Sequence, residues 1–293
     1  MKLLHKMTIA IVALAAGAAT VMLRPDSTGA IPLSEVSHIH GIAIDPNDPS
    51  RLYLATHYGV FLTSPDGTAE RVSRNRNDYM GFTPHPTDPA MLFASGHPLG
   101  GGNMGVMVSR DHGRNWDRLS AGARGPVDFH AMDVSAADPK VMYGLHGDVQ
   151  VSRDGGTTWQ VAGAPGADVF DLAASSVDAD LVYAATRNGV MVSRDAAATW
   201  TPTGPEGQSA SMVHVAPDGT VYAFVVGSGL IRSPAASLSW STVSADFGQR
   251  VLLHMAVDRS DPDRMFAVAD DGRVTASTDG GKSWRPLAAV APH

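Results

Sequence analysis

The chain has 293 residues, enough for one large all-β domain, and a formal net charge of −7 without a run of basic residues, which argues against a nucleic-acid partner. Cysteine is absent, so no disulfide forms and any metal site must draw on His, Met, Asp or Glu. Thirty glycines and nineteen prolines beside only 17% charged residues suit many short strands joined by tight turns.

Residues 1–30 read as an export segment. Lys2 and Lys6 give a positive start, Met7–Leu23 is apolar, and Ala16-Gly-Ala18 and Ala18-Ala-Thr20 are small-residue cleavage sites. The run 7–23 also approaches the roughly 20 residues of a membrane span, so it serves as a cleaved signal peptide or as a retained anchor. Without cysteine there is no lipid-attachment site of the lipoprotein type. Either reading places the remainder outside the cytoplasm: periplasmic, extracellular or anchored facing outward. A linker over 31–37 then leads to a repeat domain over 38–293.

The repeat is set by a box. Ser109-Arg-Asp-His-Gly-Arg-Asn-Trp116, Ser152-Arg-Asp-Gly-Gly-Thr-Thr-Trp159 and Ser277-Thr-Asp-Gly-Gly-Lys-Ser-Trp284 are near copies. Ser193–Trp200 has lost its glycines, Ser233–Trp240 keeps only its ends, and Ser64-Pro-Asp-Gly-Thr68 only its start. All five tryptophans end a box and recur about every 40 residues, the mark of a repeat architecture.

Six units share one grammar. The first has a strand at 40–45, a turn at Asn47-Asp-Pro49, strands at 51–56 and 59–63, the box, and a last strand near 71–73. The second starts at Asp78 and turns at Thr87-Asp-Pro89; the third starts at Asp128 and turns at Ala137-Asp-Pro139. The fourth starts at Asp168, the fifth at Ser209 and the sixth at Val251, with turns at Asp178-Ala-Asp180, Pro217-Asp-Gly219 and Asp261-Pro262. Four short strands of alternating apolar residues cannot bury both faces alone, so six units predict a six-bladed β-propeller, all-β. In each box the Asp is expected to hold the turn's N–H groups, Gly to take the left-handed conformation, and Trp to cover the layer between blades.

The grammar assigns the two faces. The loop entering strand one and the loop joining strands two and three share a face; the first turn and the box share the other. His38 and His40 enter blade 1, and His130 takes the place of His40 in blade 3. His57, His97 and His146 end strand two of blades 1, 2 and 3. All six therefore fall on one face of three consecutive blades. On a regular strand His38-x-His40 points two imidazoles to one side. Asp78, Asp128 and Asp168 align with His38, and Met80 and Phe170 with His40. This set suits a transition metal, copper or zinc, and thioethers at Met80 and Met104 favour copper. Arg187 holds the strand-two position in blade 4. His85 and His112 belong to the box face, and His214 and His254 have the opposite parity, which implies packing. The glycine-rich loop His97–Gly105 is a candidate flap over the mouth.

The boxes resemble the Asp-box (BNR) repeats of sialidases, and the whole of 38–288 resembles the exported bacterial sialidase-like proteins labelled glycosyl hydrolases. More loosely it is similar to the photosystem II stability/assembly factor group. The resemblance implies a propeller, and either glycan hydrolysis or a role in envelope assembly. The sialidase pattern implies three arginines, the first near the start of blade 1, where this chain has His38 and His40. Arg110, Arg114, Arg153 and Arg194 lie in boxes, and Arg51, Arg259 and Arg264 in turns; only Arg187, Arg74 and Arg76 reach the histidine face. No catalytic residue is assigned, although Asp78, Asp128, Asp168 and Asp171 offer carboxylates for a glycosidase pair. The expected function is an exported propeller binding a metal ion or small ligand through the histidine cluster; the alternatives are a glycan-active hydrolase and an assembly scaffold with an unidentified protein partner.

Overall fold

The computed structural model describes residues 29–287, and the segment 1–30 expected to direct export lies outside them but for its last two residues. Six antiparallel sheets surround a central channel, each built from one continuous stretch of chain. Blade 1 comprises Ile39–Asp45, Asp48–Thr56, Gly59–Thr63 and Thr68–Arg71. Blade 2 comprises Asp78–Pro84, Leu92–His97, Val106–Ser109 and Asp117–Ser120, and blade 3 Ala131–Val134, Met142–His146, Asp148–Ser152 and Gln160–Gly163. Blades 4, 5 and 6 begin at Val169, Ala210 and Leu252 and end at Thr203, Ser244 and Pro286. The first strand of every blade lies innermost and touches the first strands on both sides, so the ring closes between blades 6 and 1. Among the described residues no helix is long and apolar enough to cross a membrane.

The apolar core is divided into six clusters, each between two adjacent blades, because a blade alone leaves both faces bare. Five clusters carry one box tryptophan, and each tryptophan leans on the preceding blade: Trp159 of blade 3, for example, packs with Phe93, Val106 and Val108 of blade 2. Four boxes have one geometry. In blade 3, Ser152 Oγ accepts the Gly156 N–H at 2.9 Å and donates to Asp154, whose carboxylate accepts the Thr158 N–H at 2.8 Å; Trp159 Nε1 donates to the Gly156 carbonyl at 2.9 Å. The box without glycines keeps this pattern by forcing Ala196 and Ala197 to φ of 57° and 69°.

Blade 1 has no tryptophan, and the chain fills that interface differently. The stretch expected as a linker carries a short strand, Ile31–Pro32, that pairs with Thr68–Arg71 at the rim of blade 1. Leu33 and Val36 then bury themselves against Leu52, Leu54 and Ala69 of blade 1 and Phe266 and Val268 of blade 6. The last strand of this blade forms at 68–71 rather than near 71–73. The truncated box there is a plain turn, with Ser64 N–H bonded to the Thr68 carbonyl at 2.8 Å.

Candidate functional site

Five of the six histidines gather in two groups, His38, His40 and His57 beside Asp78 and His97 and His130 on Asp128, but not by simple strand alternation; His146 contacts only the Asp128 backbone. His38 precedes the inner strand and has a left-handed backbone, φ 54°, a conformation uncommon outside glycine and tolerated by His more than most. His40 sits where the register of the first two strands of blade 1 shifts between Ile39 and Gly41, a β-bulge that re-aims its side chain. Phe170, Ser211 and Leu253 occupy matching bulges in blades 4, 5 and 6. The two defects together, not the period of 2, bring the His38 and His40 rings to 4.8 and 4.4 Å from the His57 ring.

Two carboxylates organise the cluster. Asp78 Oδ2 lies 3.1 Å from His57 Nδ1, and Asp78 Oδ1 lies 3.9 Å from His40 Nε2. One ligand atom from each of these three residues can be chosen so that all lie within 4.8 Å of one another. Both His40 Nε2 and Asp78 Oδ1 are buried atoms with no hydrogen-bond partner, a costly state for polar groups. Asp128 Oδ2 lies 2.8 Å from His97 Nε2 and 3.1 Å from His130 Nε2, while Asp128 Oδ1 is buried and unpartnered. His146 Nδ1 bonds the Asp128 backbone carbonyl at 3.0 Å and so orients that peptide.

Backbone packing explains the juxtaposition. Asp78 pairs directly with His97 across the inner strands of blade 2. Gly96 has φ 119°, and a Cβ there would lie 2.1 Å from the Asp78 carbonyl oxygen, so only glycine lets the strands approach. Buried Ser95 donates to the Gly105 carbonyl at 2.8 Å and accepts the Phe129 N–H at 2.9 Å, which anchors Asp128 and His130 beside His97. The glycine-rich loop is held at several points: Met104 N–H bonds the Gly96 carbonyl, Asn103 the Pro126 carbonyl, and His97 Nδ1 faces the Gly102 carbonyl at 2.9 Å.

The two carboxylates differ electrostatically. Burial lowers the pKa of His40 to about 3, with His57 adding to the effect, so its imidazole is neutral and its lone pair free at physiological pH. Burial also lowers the pKa of His57 and raises that of Asp78. At Asp128 burial pulls upward, but the hydrogen bond from His130 and the charges of His130, His97 and His146 outweigh it, so the carboxyl titrates low and His130 high. Met80 lies two residues beyond Asp78, half-buried. Met104 packs into the apolar cluster between blades 1 and 2, and Arg187 pairs with Asp168 at 2.8 Å on blade 4; neither joins the histidines.

Some channel residues were not evident from the repeat. His214 and His254, assigned to packing by parity, line the channel instead, because the bulge reverses the alternation beyond it; His254 acts electrostatically on His40. The channel has a volume of about 620 Å³ and runs from His40 and His130 to the turns at Pro46, Pro86 and Pro217. Asp133 and Asp171 project into it, with burial raising their pKa values to about 6 and about 8. Both act as struts. Asp133 accepts Thr83 Oγ1 of blade 2 and the Ala174 N–H of blade 4, each at 2.9 Å; Asp171 accepts the Val213 N–H of blade 5 at 3.0 Å. Of the two histidines placed on the box face, His85 caps its turn by accepting the Asp88 N–H at 3.0 Å, and His112 lies in its box at φ 61°.

The chain is similar to several proteins of known structure or activity. It is 24% identical to an oligoxyloglucan-reducing end-specific xyloglucanase of Emericella nidulans, over 85% of this chain and 34% of that protein. A GH74 enzyme of Niastella koreensis superposes with a TM-score of 0.62 at 17% identity, covering 89% of this chain and 47% of the other. The chain thus spans less than half the length of these two enzymes. YCF48 bound to a D1 peptide superposes with a TM-score of 0.54 at 15% identity, covering 90% of this chain and 85% of that one. At such identities the solved structures share the fold alone. The family model described as photosynthesis system II assembly factor YCF48, a BNR-repeat model, matches residues 95–291, more than half of the chain, and the protein belongs to that family.

Proposed function

We propose that this protein is an exported propeller that binds a transition metal ion, zinc or copper, at the channel mouth through His40, His57 and Asp78, with His38 beside them. The observation that carries the reading is the pair of buried, unpartnered atoms, His40 Nε2 and Asp78 Oδ1, 3.9 Å apart within a group whose ligand atoms converge. Imidazole and carboxylate form the donor set that zinc and Cu2+ prefer, and a cation would satisfy both orphaned atoms at once. Met80, two residues beyond Asp78 on the same strand, offers a thioether that would bias the choice toward copper. The test is to purify the chain, load it with Zn2+ or Cu2+, dialyse it and measure bound metal. Retention with micromolar affinity that His57→Ala abolishes supports the reading; failure to retain either ion refutes it.

A second reading follows from family membership: the same face docks a polypeptide during assembly of an envelope or membrane complex. What supports it is that Tyr58, Leu99, Phe170 and Val226 are exposed large hydrophobics on this face, against only Val177 on the other among the described residues. Co-purification with a membrane protein, lost on changing Leu99 and Phe170 to Ser, is its expected outcome; unchanged co-purification in that variant rejects this face as the contact. The glycosidase alternative draws less support. Asp78 and Asp128 are engaged by histidines, Asp168 by Arg187, and Asp171 by backbone N–H groups. Sugar release from a glycan panel by metal-free protein would restore it.

A further inference from the structure

We infer that the channel below the mouth is a binding site for a small uncharged polyol, a cyclitol or a monosaccharide, held between a polar arc of Asp133, Asp171 and His214 and an apolar wall on blades 6 and 1. The inference goes beyond the metal reading and shares no residue with His40, His57 and Asp78. His214 is the group that most needs a ligand. It lines the channel on the inner strand of blade 5, and burial alone lowers its pKa to about 4. Among the described residues nothing donates to its imidazole or accepts from it, so the neutral ring keeps one N–H and one lone pair unused. A buried polar group without a partner is costly, and only the channel has room for that partner.

The lining sets the class of ligand. Asp133, Asp171 and His214 come from consecutive blades, 3, 4 and 5. Asp133 Oδ2 and both Asp171 oxygens each accept one backbone N–H and keep a second position open. Across the ring the channel is lined by Ile42 and Ile44 of blade 1 and by Met255 and Val257 of blade 6. His254, the polar group on that side, belongs with the mouth, where it acts on His40. A polyol ring matches this split, because its hydroxyls both donate and accept around its edge while its C–H faces are apolar. The lining also disfavours charge. Burial lowers the pKa of His214 and raises those of Asp133 and Asp171, each toward the uncharged form, and the same loss of solvent penalises an ionic ligand. The volume, about 620 Å³, lies within the roughly 300–1,000 Å³ of small-molecule sites. Arg259 of blade 6 donates to the Pro86 carbonyl of blade 2, which narrows the far end, so the ligand enters by the histidine mouth.

The test is a saturation-transfer NMR titration of the metal-free whole chain. Glucose and myo-inositol are the neutral probes; gluconate and glucosamine are charged ones of similar size. At least one neutral probe should bind with a Kd of about 1 mM or tighter, and the charged pair about tenfold more weakly. His214→Leu should weaken the neutral probe about tenfold or more, because a ligand hydroxyl loses its partner. His214→Gln, which restores a donor and an acceptor, should recover most of that loss. Circular dichroism checks that both variants fold. His57→Ala should lose metal and leave polyol binding unchanged, so the two sites fail separately. If neither neutral probe binds, the inference is overturned. Equal or tighter binding of a charged probe overturns it as well, in a comparison that needs no variant. Neutral binding that survives His214→Leu in full, or that falls with His57→Ala, places the polyol outside the channel and also refutes the site.

Discussion

Replacing Asp171 by asparagine should flatten the dependence of stability on pH. Asp171 accepts the Leu172 N–H at 2.9 Å and the Val213 N–H at 3.0 Å, and burial pushes its pKa from 3.8 to about 8. The folded protein keeps this proton up to about pH 8, whereas the unfolded chain releases it near 3.8. Folding therefore takes up a proton across this window. The stability that the neutral carboxyl contributes is complete below pH 3.8 and is lost as pH rises toward 8, by about 1.4 kcal/mol per unit. Solvent reaches the group through the channel, so the prediction is confined to pH 5–7, well inside both limits. There the loss is about 2.7 kcal/mol, or roughly 5–11 °C in Tm for a domain of this size. The substituted side chain cannot titrate, but its amide leaves one of the two backbone N–H groups without an acceptor, a cost of about 1–3 kcal/mol. The Asp171→Asn variant should thus melt below wild type at pH 5 and draw level with it or pass it by pH 7. Melting followed by circular dichroism at pH 5, 6 and 7 checks this. Parallel Tm profiles for the two proteins would falsify the assignment of a buried, protonated strut.

Three other outcomes are expected. Trp159→Ala opens the interface between blades 2 and 3, where Trp159 is 7% exposed, and should cost about 3–5 kcal/mol by chemical denaturation; a loss below about 1 kcal/mol would mean that the boxes do not seal the blades. Leu33→Ala should cost about 2–5 kcal/mol although it lies outside the repeat, because Leu33 is buried in the closure between blades 6 and 1; no shift in the denaturation midpoint would rule out that role. Ser152→Ala should destabilise by about 1–3 kcal/mol, since Gly156 N–H loses its acceptor, whereas Ser233→Ala should be nearly silent, its hydroxyl only donating to Pro234; equal effects on Tm would contradict the contrast between intact and degenerate boxes.

Much of the fold was legible because the repeat is written in residues whose backbone demands are narrow. Asp and Pro mark the turn between strands one and two, Ser-x-Asp-x-Gly-x-x-Trp marks the one between strands three and four, and two strands must fit between them. Once the turns were placed, the sharing of a face by His38, His40, His57, His97, His130 and His146 followed from connectivity alone. Side-chain direction was less accessible. The inner strand bulges once near the mouth, which re-aims His40 and turns His214 and His254 into the channel. A bulge inserts one unpaired residue without a required residue type, so no sequence pattern announces it. Asp133 and Asp171 look like alternating polar positions, yet each accepts a backbone N–H about 40 residues away on the next blade.

Sequence by itself determined the number of blades, the two faces and which histidines the connectivity assigns to each face, because these depend on spacing along one chain. Tertiary structure decided which imidazoles share which carboxylate. Asp78 serves His40 and His57, while Asp128 serves His97 and His130, pairings set by how blade 2 is clamped to its neighbours through Gly96 and Ser95. It also decided that Leu33 and Val36 close the ring where no tryptophan exists. Both outcomes rest on contacts between segments far apart in sequence, and only the packed ring brings those segments together.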